Sequence, residues 1–334
     1  MRKRLFSLLA AVLTAATLLS GCQAANELEN PEAPFPAQVQ NVVISQAPAS
    51  VISLSPSLTD VLRELGYEGN LIGRVDEYDQ PAEIGALPSV GSSAEPDIQK
   101  IVELSPDLLL SQNSFSKKDL ETLTAANVQV LCIPAATNFE ELKAIYTDLS
   151  TVFVGKVDGA AKGEAVYATV QQALDQITAK LPAEKKSFLY ALDADGLVAT
   201  PDTFESAALS LLGVNVATGE DYAADLAAAA QSNLDVFLVA EPYVQEHVAQ
   251  SESFKDFEAV KNGQVISIDP ELLQVQSLGI ADGLRKIAAL LYPDAGFEDT
   301  SSQSSVSSEA QSTPADTESG ESLSSGTESV SSQE

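Results

Sequence analysis

Residues 49–62 read Ala49-Ser50-Val51-Ile52-Ser53-Leu54-Ser55-Pro56-Ser57-Leu58-Thr59-Asp60-Val61-Leu62. Ala49 to Leu54 is a short β-rich run. Ser55-Pro56-Ser57 makes a tight loop, and Leu58, Val61, Leu62 and Leu65 then recur at helical spacing up to Gly66. The grammar is strand, loop, helix. Ser55 can cap the helix with Pro56 at its first position, or Ser57 can cap it with Asp60 three residues on. Gly66 suits the left-handed residue that follows a helix end.

The same grammar continues downstream. Leu71 to Val75 is a second strand candidate, and Ile98, Ile101, Val102 and Leu104 mark a helix that stops before Pro106. Leu108-Leu109-Leu110 is a buried strand, Leu120 to Ala126 a helix, and Val128 to Ile133 a strand closed by Pro134. Strands alternating with helices argue a parallel α/β sheet. The second half repeats part of this pattern. Val102 to Leu110 and Ala230 to Leu238 each read as a helix end, a turn, an Asp (Asp107, Asp235) and an apolar strand. Asn127 to Pro134 and Asn262 to Pro270 each follow a helix and end in a Pro loop. Two lobes of like topology are expected, at residues 41–155 and 183–293. Between them Val166, Val170, Ala173, Leu174, Ile177 and Leu181 form one apolar stripe. This predicts a linking helix within 156–182, of about 20 residues and roughly 30 Å.

The ends read differently. Arg2, Lys3 and Arg4 precede an apolar run from Leu5 to Leu19, so residues 1–21 read as a secretory signal, too short for a stable membrane span. Leu19-Ser20-Gly21-Cys22 is similar to the lipobox of bacterial lipoproteins, which implies acylation of Cys22 and anchorage by two chains. Residues 22–40, with Pro31, Pro34 and Pro36, read as a tether, and residues 294–334, rich in Ser and Glu, as a disordered tail.

Composition narrows the chemistry. The chain of 334 residues carries 18 Lys+Arg against 48 Asp+Glu, a formal charge of −30, which argues against nucleic acid or an anionic membrane surface as partner. One His and two Cys argue against a zinc finger, a disulfide framework or a transition-metal site, and no cofactor or resident metal is expected. Cys132 lies in an apolar run and reads as a buried, inert thiol. No catalytic residues are assigned. His247 reads as a surface histidine, no G-x-S-x-G elbow is present, and the Asp193/Asp195 pair is weak among so many acids.

In open α/β sheets ligands bind beyond the carboxyl ends of the strands. The strand assignments therefore make Ser55, Pro56, Ser57, Tyr78, Ser92, Asn113, Phe115, Phe204, Glu241, Tyr243 and Asp269 the ligand-binding candidates, on loops offering hydroxyls, amides and aromatic rings.

The stretch from Ala49 to Leu62 resembles the opening signature of substrate-binding proteins of cobalamin and iron–siderophore ABC importers. Leu87-Pro88-Ser89-Val90-Gly91, the segment from Pro96-Asp97-Ile98 to Pro106-Asp107-Leu108, Val260 to Val265, and Gly283-Leu284 to Leu291-Tyr292-Pro293 agree with it in order. The resemblance implies two Rossmann-like α/β lobes joined by a single long helix, the class III periplasmic-binding-protein fold, with a small-molecule ligand held between them. It implies no enzyme, a monomer, and docking on a permease whose partner ATPase drives import. With the lipobox it implies a lipid-anchored protein on the extracellular face of the cytoplasmic membrane of a Gram-positive-type bacterium.

One departure concerns docking. The resemblance implies a Glu on each lobe that meets basic residues of the permease, but the matching positions hold Gln99 and, more loosely aligned, Ala227. Asp97, Glu103 and Asp225 are the nearby substitutes. Few cations lie near the loops (Arg74, Lys117 and Lys118), which disfavours anionic catecholate siderophores and leaves corrinoids, neutral or cationic hydroxamates, or haem-like ligands. The alternatives are a sensory or adhesive lipoprotein that has kept the binding fold, and an extracellular enzyme.

Overall fold

The computed structural model describes residues 32–297, Asn233 excepted. The expected signal segment, Cys22, much of the tether and nearly all of the tail lie outside those residues.

The expected tether ends too late. β1 (Ala37–Val39) pairs antiparallel with β2 (Val42–Ile44), and Ala37 and Val39 are each 1% exposed. Upstream, the Pro34 carbonyl already accepts the Lys156 amide at 2.8 Å. A three-residue alternation among prolines is too short to read as a strand. Four parallel strands follow, β3 (Val51–Ser53), β4 (Leu71–Gly73), β5 (Leu108–Ser111) and β6 (Gln129–Cys132), in the order β4-β3-β5-β6. Helices α1 (Pro56–Glu64), α2 (Ala82–Gly85), α3 (Ile98–Leu104) and α4 (Lys117–Ala125) connect them. Ser55, not Ser57, caps α1: its hydroxyl accepts the Leu58 amide at 3.2 Å, with Pro56 at the first helical position. Gly66, at φ +84°, donates to Arg63 and Tyr67 donates to Leu62, so the last carbonyls of α1 are satisfied.

The connection between lobes is a pair of helices. α5 (Phe139–Val154) packs against α6 (Gly159–Thr178), with Tyr146 and Tyr167 edge to face at 5.5 Å and Lys143 paired to Glu164 at 3.0 Å. The expected linking stripe is α6. α5 was not anticipated, although Asn138 caps it and Leu142, Ile145, Tyr146, Leu149, Val152 and Phe153 are buried at helical spacing.

The second lobe contains β7 (Ser187–Ala191), α7 (Phe204–Leu209), β8 (Val214–Asn215), the small hairpin β9 (Gly219–Glu220) and β10 (Ala223–Ala224), and α8 (Leu226–Gln231). It continues with β11 (Val236–Ala240), α9 (Gln245–Gln250), α10 (Glu258–Lys261), β12 (Val265–Ile268), α11 (Glu271–Gln274) and α12 (Ile280–Leu291). Its parallel sheet runs β12-β11-β7-β8. In each lobe the first parallel strand therefore lies between the second and third, and the fourth lies outside the third.

The resemblance between halves extends to single bonds. The Asp107 carboxylate accepts the Ala49 and Ser50 amides at 2.8 and 3.0 Å, and its own amide donates to the Ser50 hydroxyl at 2.9 Å. Asp235 accepts the Ser187 amide at 2.7 Å and donates to the Ser187 hydroxyl at 3.1 Å. Each Asp ties the start of its lobe's first parallel strand to the start of the third.

β3, β5 and β11 are buried along their whole length, as strands covered on both faces must be. One apolar cluster runs from Val51 and Leu110 through Tyr146, Leu149, Val170 and Leu174 to Phe188, Tyr190 and Leu284. The lobes thus share a core layer built by α5, α6 and α12. The fold also runs past the expected tail boundary: Ala295 and Phe297 pack on that cluster, with the Lys180 ammonium 5.8 Å from the Phe297 ring centre.

Candidate functional site

In the first sheet the chain reverses its direction of growth between β3 and β5, and the loops leaving these strands part there. The Ser55 hydroxyl, beyond β3, donates to Gln112 Oε1, beyond β5, at 2.6 Å and so ties the two loops together. A cavity of about 290 Å³ opens beside them, lined by Leu54, Ser93 to Pro96, Asn113 to Ser116 and Asp119 among others. The expected residues Asn113 and Phe115 line it. Ser92 lies next to it, and its hydroxyl accepts the Glu95 amide at 2.9 Å, which shapes the loop.

Tyr78 is placed elsewhere. Its hydroxyl donates to Asp60 and accepts from Arg63 at 3.0 Å on α1, and burial together with the Asp60 carboxylate pushes its pKa up to about 12. Ser57 is also turned away from that cavity. Its hydroxyl donates to the Gln274 carbonyl at 3.4 Å and accepts the Gln276 amide at 3.2 Å, bridging to the segment that follows α11.

A second cavity, of about 370 Å³, lies between the lobes. The first lobe supplies Ala135, Ala136 and Thr137 from the loop after β6, and the second supplies Asp202 to Glu205, Asp221, Tyr222, Leu273, Gln274 and Gln276. Phe204 was expected here, and its ring packs 5.5 Å from Phe139 at the start of α5. Asp202 accepts the Asp221 amide at 2.9 Å and the Thr200 hydroxyl at 2.6 Å, and these bonds hold its carboxyl below the usual range. Glu205 accepts the Tyr222 hydroxyl at 3.3 Å. Burial, then the Glu205 charge, raises the Tyr222 pKa. Asp221 and Tyr222 both have positive φ, +52° and +62°, a conformation that non-glycine residues adopt at a cost.

Gln276 closes the floor of this cavity. It is 8% exposed; its Nε2 donates to the Ala136 carbonyl and its Oε1 accepts the Ala136 amide, both at 2.8 Å. One side chain thus pairs a first-lobe backbone unit in the manner of a strand. Two residues on, the Leu278 amide donates to Glu64 Oε1 at 3.0 Å, while Glu64 Oε2 accepts the Tyr146 hydroxyl. Burial raises the Glu64 pKa, and burial with the Glu64 charge raises that of Tyr146.

Glu241, Tyr243 and Asp269 lie at the carboxyl ends of β11 and β12, outside the lining of both cavities. Glu241 is exposed and its amide donates to Ile268 at 2.8 Å; Tyr243 packs edge-on to His247 at 5.9 Å; Asp269 accepts the Glu271 amide at 3.0 Å. His247 is exposed and its Nδ1 accepts the Val244 amide at 3.1 Å. Asp193 caps its own turn, one oxygen accepting the amides of Asp195, Gly196 and Leu197 at 2.9 Å. Burial raises the pKa of the Cys132 thiol. Among the described residues no group of His, Cys, Asp or Glu is placed to hold a metal ion.

The docking candidates fall at matching places. Asp97 caps α3 through the Lys100 amide at 3.1 Å, and Asp225 caps α8 through the Ala228 amide at 3.0 Å. Gln99 and Ala227 therefore occupy the same step of the two helices, both exposed, and Glu103 is exposed further along α3. Asp97 and Asp225 each use one carboxylate oxygen for capping, and both are exposed.

Of the residues lining the cavity between the lobes, sequence reasoning named Phe204 but missed Glu205, Asp221, Tyr222, Gln274 and Gln276. A polar Gln-Val-Gln-Ser at 274–277 ahead of an apolar helix was the only sign of the last two.

The comparisons with known proteins agree with this fold. An uncharacterized ABC transporter substrate-binding lipoprotein of Bacillus subtilis, YvrC, is 26% identical over 313 residues, covering 85% of this chain and 96% of its own. A cobalamin-binding protein of Halobacterium salinarum is 26% identical over 192 residues, 55% of this chain and 49% of its own. A periplasmic heme binding protein of Pseudomonas aeruginosa has the same fold, with a TM-score of 0.59 at 22% identity over 74% of this chain and 94% of that one. So does the periplasmic vitamin B12 binding protein BtuF of Vibrio cholerae, with a TM-score of 0.53 at 18% identity over 74% and 97%. The periplasmic binding protein family model matches residues 51–272, which span both sheets and the helix pair between them. The chain belongs to the periplasmic binding protein family, a family of solute-binding transport components that are not enzymes.

Proposed function

We propose that this chain is the extracellular substrate-binding lipoprotein of an ABC importer, anchored through Cys22, and that it captures a metal chelate, a corrinoid or a ferric siderophore, and delivers it to a permease. The observation that carries the reading is the cavity between two lobes of one topology, at loops leaving the carboxyl ends of parallel strands. The names of the Bacillus and Halobacterium relatives, a substrate-binding lipoprotein and a cobalamin-binding protein, support the transport role and one of the two ligand classes. Phe115, Phe204 and Tyr222 offer aromatic walls for a large planar or ring-shaped ligand. The test is native mass spectrometry of the protein isolated from its own cells, followed by calorimetric titration with cobalamin, cobinamide and ferric trihydroxamates. A co-purifying chelate that binds in titration is expected. No heat and no thermal shift with any of them would refute the ligand assignment.

A second reading, a sensory or adhesive lipoprotein without transport, is favoured by the neutral residues Gln99 and Ala227 at the two matching exposed positions. An adjacent permease gene and ATPase gene would decide for import.

A further inference from the structure

The walls of the two cavities carry one sign of charge. Glu95 and Asp119 line the first, and Asp202, Glu205 and Asp221 line the second, while neither is lined by a Lys or Arg. Of the three cations that the sequence puts near the loops, Lys118 is exposed on α4 outside both linings, and the other two make contacts elsewhere. Arg74 donates to the carbonyls of Gly85 and Val75 at 3.3 and 3.0 Å, and Lys117 lies 3.8 Å from Glu121 on its own helix. Among the described residues none of the ion pairs involves Asp202, Glu205 or Asp221. The bonds that Asp202 and Glu205 do accept come from neutral donors: the Thr200 hydroxyl, the Asp221 amide and the Tyr222 hydroxyl.

A ligand that fills the space between the lobes displaces the water that screens these carboxylates. An anionic ligand then meets several like charges at reduced dielectric, whereas a cationic one offsets them. Tyr222, half-buried in the same wall, adds an aromatic ring that suits a cation carried on an apolar body. From the cavity lining we infer that the site selects metal chelates of net positive charge, with the cationic group directed at Glu205 and Asp221, and rejects anionic chelates. This inference rests on the reading of the inter-lobe cavity as the ligand site.

The experiment is calorimetric titration of the full mature chain with three ferric trihydroxamates of one scaffold. Their terminal amine is free, acetylated or succinylated, which makes the complex singly positive, neutral or singly negative. Aquacobinamide and dicyanocobinamide form a second charge pair. Each ligand is also titrated into Glu205→Gln/Asp221→Asn, which removes two charges with little change of shape; Asn tolerates the positive φ at position 221. Wild type should bind the positive member at least about tenfold tighter than the neutral one, and the negative member weakest. In the double variant the positive-to-neutral preference should fall to within about twofold.

Equal or tighter binding of the negative member by wild type, or a preference that survives in the double variant, overturns the inference while leaving the transport reading intact. If no member of either series binds, the chelate assignment fails. The solute found by native mass spectrometry then decides the charge rule separately: a cation supports it and an anion overturns it.

Discussion

Replacing Gln276 with Ala should destabilise the whole protein, because one side chain carries two buried bonds between the lobes. The substitution removes the 2.8 Å bonds to the Ala136 carbonyl and amide and leaves both groups on a residue 4% exposed. Each lost bond is worth about 1 kcal/mol net, and each buried group left without a partner costs about 1–3 kcal/mol. Water entering from the adjoining cavity satisfies part of that demand, so the expected loss is about 3 kcal/mol. Against a total of about 5–15 kcal/mol this is large. At about 2–4 °C per kcal/mol for a fold of this size, Tm should fall by about 6–12 °C. Urea unfolding gives the free energy, and hydrogen exchange at the Ala136 amide should accelerate. A Gln276→Glu variant supplies a chemical signature. Its carboxylate can still accept the Ala136 amide, but its second oxygen faces the Ala136 carbonyl until it is protonated. Its folded pKa is therefore raised, and its stability should be regained as pH falls and lost as pH rises. A Gln276→Ala loss below about 0.5 kcal/mol, with unchanged exchange and a pH-independent Gln276→Glu deficit, would refute the bridging role.

Three other outcomes follow from the same geometry. Gly163→Ala would place a Cβ 2.5 Å from the Tyr146 carbonyl oxygen and 2.6 Å from Thr147 Cα, both backbone of α5, so the helix pair must separate. A net loss of about 1–3 kcal/mol is expected by urea unfolding, and stabilisation would contradict the close approach. Glu64 has a folded pKa raised by burial above 4.5, so its contribution is fully present below 4.5 and is lost as pH rises through the folded value. Glu64→Gln should flatten the urea midpoint over that window. Asp107 and Asp235 have pKa values lowered from 3.8 by bonds from the strand-start backbone at Ser50 (with Ala49) and at Ser187. Their stabilisation is present above 3.8 and disappears as pH falls through the folded values. Asp107→Asn and Asp235→Asn should each shallow the acid-unfolding limb by a like amount, and a strongly unequal pair would deny the equivalence of the lobes.

The parts of the fold legible in the chain are those whose signals are local. Val51–Ser53, Leu108–Ser111 and Val236–Ala240 are short apolar runs bounded by turn residues, and each is a fully buried strand. Ser55 before Pro56 is a cap at the helix start, and Gly66 ends that helix. The Asp at the start of each lobe's third parallel strand was visible as a repeat, although its bond to the first strand was not. α5 was legible too, from Asn138 and the buried spacing that follows it, but its position between two recognised segments hid it. The candidate site was half legible. Phe204, Asn113 and Phe115 line cavities, whereas Tyr78 is held by Asp60 and Arg63, and Glu241, Tyr243 and Asp269 stand outside both linings.

The residues that periodicity could not find are those whose partners lie far along the chain. Gln276 meets Ala136 across 140 positions and Ser57 across 219. Strand, helix and cap follow from forces acting within a few residues, so the order of apolar and polar side chains carries them, and with them the α/β class and the doubled lobe. The sign of the cavity wall and the bond that joins its two sides arise when distant loops are brought together. Asp202, Glu205 and Asp221 are unremarkable acids among 48 until the fold sets them around one space without a cation.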